Sequence, residues 1–132
     1  MNITTTLSQV RVPVTIFRIT GDLNAETSEE LVQRAQAAHQ AGSQDLLLDL
    51  ETVGFVSSAG LRAVHAIFMM LGTGDPDEDE SSVRKGIVAG SYHSPHLKLL
   101  NPSREVLRTL EMGGFDTFLE IYTNEQRALA SY

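Results

Sequence analysis

The sequence predicts a single α/β domain spanning residues 1–132, built on a mixed β-sheet of four to five strands with helices packed mainly on one face. Two patterns point to this. Strand-like and helix-like segments alternate over most of the chain, the signature of a sheet covered by helices. The first two segments, NITTTLSQV and VRVPVTIFRITG, form a hairpin ahead of that alternation, so the sheet is mixed. A chain of 132 residues can bury roughly two-thirds of its unfolded surface in one core.

Val12, Val14, Ile16 and Arg18 alternate along the second segment, with Pro13 near its start or at an edge. GDLNAETSEELVQRAQAAHQAG follows as a helix. Asn24 or Thr27 can cap it, and Thr27 with Glu30 fits a capping box. Leu31, Val32, Ala35 and Ala38 mark its inward stripe, and Gly42 suits the position just past its end. DLLLDL is a continuous apolar run of the kind a central strand shows. FVSSAGLRAV then passes into a helix reaching roughly Leu71. Residues 72 to 85 read as loop, and KGIVAGSY as either a short strand or an ordered part of the same excursion. HLKLLN is a further strand. NPSREVLRTLEMGG is a helix with Asn101 as cap, Pro102 at its first position, and Val106, Leu107 and Leu110 inward. FLEIY is the last strand, and TNEQRALASY a short closing helix with a Thr-x-x-Gln box.

Composition narrows the function. Seventeen acidic against ten basic residues leave a formal charge of −7, which disfavours nucleic acid and anionic membranes as partners. Five of the acids fall in GDPDEDESS, residues 74 to 82, a solvated loop by its composition. MNITTTLSQV lacks the basic start and apolar core of a signal peptide. The longest apolar run, AVHAIFMML, is too short to span a bilayer. There is no cysteine, hence no disulfide or thiolate metal site. The expected location is the cytoplasm.

The serine pair in FVSSAGLRAV is the main candidate site. Either Ser57 or Ser58 can cap the helix, a role worth about 1 kcal/mol, but one cap needs one hydroxyl. Gly60 lies in the first turn, where glycine costs about 1 kcal/mol relative to alanine. Its bare backbone suits close approach by another chain or a ligand. Leu61, Val64, Phe68 and Leu71 form one apolar line, and Ala63, Ile67 and Met70 a second. Ser58, Arg62, His65 and Met69 are left as one exposed ridge. A helix N-terminus stabilises anions. A phosphate on Ser58, one turn from Arg62, would therefore suit the fold while disturbing a partner docked on the ridge.

Enzymatic readings fare worse. A hydrolase elbow needs Gly-x-Ser-x-Gly, and Val-Ser-Ser-Ala-Gly lacks the first glycine. His39, His65, His93 and His96 have no evident partnering acid, and His65 is about 10 Å along the helix from Ser58. His93 and His96 in YHSPH lack a third metal ligand. GTGDPDED lacks the Lys-Ser/Thr ending of a phosphate loop. No cofactor is expected.

The chain resembles a STAS domain of the anti-sigma-factor antagonist family. FVSSAGLRAV is similar to that family's Asp-Ser-Ser/Thr-Gly-Leu stretch between a strand and a helix. ITGDLNAETSEEL resembles its Thr-Gly-Glu/Asp-Leu-Asp segment, and LLLDLETVGFV its central strand. NPSREVLRTLEMGGFDTFLEIYTNEQRALA resembles its carboxy-terminal part. The likeness covers nearly everything except residues 72–95, an acidic insertion relative to compact members. It implies Ser58 as phosphoacceptor, with Ser57 in the aspartate position and Ala59 in that of the second hydroxyl. It also implies a partner surface of Asp22, Asn24, Ser57, Ser58, Gly60, Arg62, His65 and Met69. The implied mechanism is partner switching in transcription regulation. The unphosphorylated domain binds an anti-sigma serine kinase, ATP-dependent phosphorylation ends the interaction, and a metal-dependent phosphatase resets it. A STAS scaffold working without phosphorylation is the alternative.

Overall fold

The computed structural model describes residues 2–72 and 94–132. The acidic segment, KGIVAGSY and His93 lie outside the described residues. Five strands form one sheet: β1 (Asn2–Gln9), β2 (Pro13–Thr20), β3 (Leu46–Thr52), β4 (Leu97–Leu100) and β5 (Glu120–Tyr122). They stand in sequence order across it. β1 and β2 are antiparallel and every later pair is parallel, so the sheet is mixed as expected. The helices are α1 (Ala25–Gln40), α2 (Ser58–Leu71), α3 (Arg104–Met112) and α4 (Glu125–Ala130), with a 3-10 turn at Phe115–Thr117. No helix among the described residues is long and apolar enough to cross a membrane.

Side-chain alternation divides the strands between two cores. Phe17, Ile19, Leu46, Leu48, Leu50, Leu97 and Leu99 face α1, α2 and α3, which bring Leu31, Ala35, Val64, Ile67, Phe68, Val106 and Leu110. Val14, Ile16, Leu47 and Leu100 face the other way, and among the described residues the helix they meet is α4, through Ala128 and Leu129. β3 contributes to both, which explains why Leu46, Leu47 and Leu48 are apolar in succession.

The second face is also held by charge. Arg18, in phase with Val14 and Ile16, places Nη1 2.7 Å from Glu125 Oε1 and 2.9 Å from Asp49 Oδ2. The hydrogen bond that Arg18 donates to Glu125 is the main cause of a guanidinium pKa raised above its ordinary value, with Asp49 adding to it against partial burial. At the far end of α4, Lys98 Nζ donates to Glu120 Oε2 at 2.8 Å and to Ser131 Oγ at 2.9 Å. The same ammonium lies 4.8 Å from the centre of the Tyr132 ring, within cation–π range. The Tyr132 hydroxyl donates to the Leu46 carbonyl on β3. The short last helix is thus fastened at both ends.

Asn24, one of the two caps expected for α1, is the cap, but its box differs from the expected one, and the caps of α3 and α4 are displaced by a residue or more. α1 is capped by Asn24, which accepts from the amides of Glu26 and Thr27, while Thr27 completes the box from the third position. Thr27 with Glu30 does not form it. α3 is capped by Ser103, because Asn101 takes a left-handed conformation, φ 53°, and its amide bonds to the Tyr122 carbonyl of β5. Sheet pairing claims the residue that would have capped. α4 is capped by Asn124, not by Thr123. Gly42 follows the end of α1 at φ 104°, as expected.

Burial, with a smaller contribution from the charge of Asp45, pushes the Tyr132 phenol above its ordinary pKa of 10.0. The folded protein therefore keeps this proton to higher pH than the unfolded chain does. The contribution is fully present below pH 10 and is lost as pH rises above it. Denaturant titrations at increasing pH should show stability falling from about pH 10 upward. In Tyr132→Phe this fall should be shallower, and stability at neutral pH lower by about 1 kcal/mol for the lost hydrogen bond.

Candidate functional site

The site is assembled from two loops. The chain leaving β2 at Gly21–Asn24 and the chain leaving β3 at Val53–Ser57 are joined by an isolated parallel bridge between Leu23 and Val56. Leu23 N–H donates to the Phe55 carbonyl at 2.9 Å, and Ser57 N–H donates to the Leu23 carbonyl at 2.8 Å. Leu23, Val53 and Val56 are buried, so the bridge is anchored in the core. Asn24 caps α1 on one side of it, and Ser57 caps α2 on the other.

The two serines have different tasks. Ser57 is the N-cap: its Oγ accepts from the Gly60 amide at 3.2 Å. Ser58 is the first residue of α2, its side chain is exposed, and no hydrogen bond to another described residue holds its hydroxyl. Arg62, His65 and Met69 are exposed with it along the helix, and Met69 retains 43% of its surface. The expected ridge is therefore present. The His65 ring is braced from below, 6.1 Å from the ring of Phe68 and 6.5 Å edge-on to Phe118.

Asp22 and Asn24 are both exposed at the bridge. Asp22 Oδ1 stands 3.2 Å from the point a Cβ on Gly54 would occupy, which brings a carboxylate to the loop leading into the serine pair. Asn24 uses its Oδ1 to cap α1.

Gly60 needs correction. It is buried and belongs to the interior of the site. A Cβ there would lie 2.8 Å from Val56 Cγ1, 2.9 Å from the Leu23 carbonyl oxygen and 3.0 Å from Leu23 Cβ. The close approach that its bare backbone permits is made by this chain's own loop.

Two apolar residues at the site went unassigned in the sequence. Phe55 is 48% exposed, although its backbone carbonyl is fixed in the bridge. Met112, at the end of α3, is 83% exposed, and the next residue, Gly113, approaches Leu61 of α2. Phe55 offered one signal, an aromatic residue outside any periodic segment; Met112 offered none, because its position depends on how α3 meets α2. Of the histidines, His39 Nδ1 pairs with the Ser43 carbonyl and His96 Nδ1 with Asp45 at 2.7 Å, both far along the chain from Ser58. Among the described residues no group of three or more side chains could hold a metal ion.

The electrostatics of α2 differ from those of its neighbours. The first turns of α1, α3 and α4 carry Glu26, Glu105 and Glu125, whereas that of α2 has no acidic residue. The first turn of α2 thus supplies no negative charge of its own to the positive end of the helix dipole.

A mixed sheet whose central strand leads through a bridged loop to an exposed serine at a helix start defines a small α/β interaction domain. The STAS domain model matches residues 6–74, more than half of the chain, and the protein belongs to the STAS domain family. Among curated proteins, none matches the sequence. The fold is shared with an anti-sigma factor antagonist from Mycobacterium paratuberculosis, at 20% identity and TM-score 0.71 over 98% of this chain and 93% of that one. It is also shared with the anti-sigma factor antagonist SpoIIAA in its unphosphorylated form, at 20% identity and TM-score 0.64 over 96% and 93%. The phosphorylated form of SpoIIAA, a Bacillus cell fate determinant, matches at 20% identity and TM-score 0.59 over 96% and 97%.

Gly60→Ala should destabilise the domain by up to about 2 kcal/mol in urea titrations. Overpacking against Leu23 and Val56 costs about 1–3 kcal/mol, and alanine recovers about 1 kcal/mol of helix propensity. Ser57→Ala should cost about 1 kcal/mol through the lost cap. If Gly60→Ala is as stable as the parent protein, the close packing at the bridge is not what requires glycine.

Proposed function

We propose that this STAS domain is an anti-sigma factor antagonist that works by partner switching. Unphosphorylated, it binds an anti-sigma factor serine kinase through the ridge of Ser58, Arg62, His65 and Met69, with Asp22, Asn24 and Ser57 at its upper end. The kinase transfers the γ-phosphoryl group of ATP to Ser58 Oγ, the serine proton leaves to solvent or a kinase base, and ADP departs. A metal-dependent phosphatase returns the serine. The domain is ligand and substrate in this cycle and contributes no catalytic group.

The observation that carries this reading is the division of labour between the serines: Ser57 caps α2, and Ser58 is exposed beside it. Three further points support it. The first turn of α2 lacks an acid, so a phosphate adding −1.5 to −2 charges enters a favourable field. Arg62 follows one turn later, within reach of such a group. The fold is that of SpoIIAA, which has been seen both unphosphorylated and phosphorylated.

Incubation with ATP and the cognate kinase, followed by mass spectrometry, should place one phosphate on Ser58 and none on Ser58→Ala. Ser58→Asp should weaken kinase binding at least tenfold, about 1.4 kcal/mol. Its thermal stability should stay unchanged or rise by up to about 1 kcal/mol, because the helix start accepts an anion. An unmodified protein whose kinase binding survives Ser58→Asp would instead identify a scaffold that assembles without phosphorylation.

A further inference from the structure

The two edges of the sheet are unlike. β5 is three residues long and carries Glu120, whose carboxylate is engaged by Lys98. β1 is eight residues long and, among the described residues, pairs only with β2. Its register with β2 runs unbroken from Asn2↔Thr20 to Gln9↔Pro13, so it has no bulge. It contains no charged residue and no proline. Outward-pointing N–H and C=O groups of such a strand form a template for another strand, and the strand itself carries no charge, proline or bulge to block pairing. Among the described residues Arg34 of α1 reaches its backbone, with Nη1 donating to the Ile3 carbonyl at 3.0 Å.

The strand is also close to a palindrome. Reading outward from Thr5 gives Thr4 and Thr6, then Ile3 and Leu7, then Asn2 and Ser8. Ile3 is 3% exposed and packed in the core, but Leu7, on the same face of the strand, is 72% exposed. Nothing among the described residues accounts for a leucine left open on the same face as its buried counterpart.

We propose that β1 is a self-association edge, where two copies of this protein pair their first strands antiparallel about Thr5. In that register Leu7 of each copy lies opposite Ile3 of the other, Thr4 opposite Thr6, and Asn2 opposite Ser8. Residues directly opposite in an antiparallel pair share a face, so both Ile–Leu pairs form on the helix side and both exposed leucines are covered. Thr5 there borders a hollow lined by Phe17, Arg34, Ala37 and Ala38, which gives the incoming side chains room.

The occupant is a second copy for two reasons. A palindromic strand satisfies an isologous two-fold contact, in which each copy offers the same surface and the assembly closes. The chain carries −7, yet its first ten residues hold no charged side chain. Two copies can therefore meet at this strip with little like-charge contact. α1 lies over β1 and β2 and separates this edge from α2, so Ser58 stays open in both copies.

Sedimentation velocity on the full chain should give a mass near twice 14.4 kDa at high micromolar concentration, falling to the single mass on dilution. Leu7→Lys should remain a monomer at every concentration with an unchanged melting temperature, since Leu7 packs against little in the single copy. The chain lacks cysteine, so Thr5→Cys reports alone. Mild oxidation should convert it to a covalent dimer, whereas Thr4→Cys, displaced along the strand from its equivalent, should stay uncross-linked. A wild-type protein that stays monomeric throughout would overturn the proposal. So would a dimer that persists in Leu7→Lys or cross-links no better through Thr5→Cys than through Thr4→Cys.

Discussion

The parallel bridge between Leu23 and Val56 is the contact on which the functional face depends. Two loops leave neighbouring parallel strands at the same end of the sheet, and each must begin a helix immediately. Two backbone hydrogen bonds, from Leu23 to Phe55 and from Ser57 to Leu23, hold them in one register. The bridged side chains are buried, which protects those bonds from competition with water. Gly60 then lets the first turn of α2 settle directly onto the bridge. A side chain there would push the helix away and displace Ser58 along with it.

The sheet keeps its two faces for different purposes. Three helices cover one face with an almost wholly apolar core, and α2 shows its outer ridge from that layer. Among the described residues the other face has a single short helix, and at six residues α4 is too short to be stable by itself. Its attachment relies on a small apolar patch together with the ion pairs of Arg18 and the cluster around Lys98. Charged groups at partly buried positions fix orientation better than they add net stability. Here they set where α4 lies, and with it the carboxy-terminal Tyr132 bound to β3.

Much of this was legible in the sequence because periodicity follows backbone geometry. The parity of Val14, Ile16 and Arg18, the apolar run of β3 and the helical spacing of Ser58, Arg62, His65 and Met69 all follow from local repeats. The misreadings share a different cause. Asn101 looks like a cap until β5 claims its amide, and Thr27 looks like the start of a box with Glu30 until Asn24, next to the bridge, takes it as the third residue of its own. Gly60 looks like a place for a visitor until the loop from β2 is seen filling the space. Each depends on a segment distant in sequence, which local patterns do not encode. Phe55 and Met112 are exposed for the same non-local reason.

On the proposed function, the two adjacent hydroxyls at this helix start answer incompatible demands on one oxygen. A capping oxygen must point back along the helix and accept an amide, as Ser57 does toward Gly60. An oxygen that is to attack a phosphorus atom must point away and be reachable. Were a single serine to serve both roles, phosphorylation would compete with the cap, and each modification would loosen the first turn by about 1 kcal/mol. With the roles separated, a phosphate on Ser58 leaves the Ser57 cap in place and adds the anion that the first turn of α2 alone lacks among the described helices. The change of charge is then felt by whatever rests on the ridge, while the domain beneath it keeps its structure.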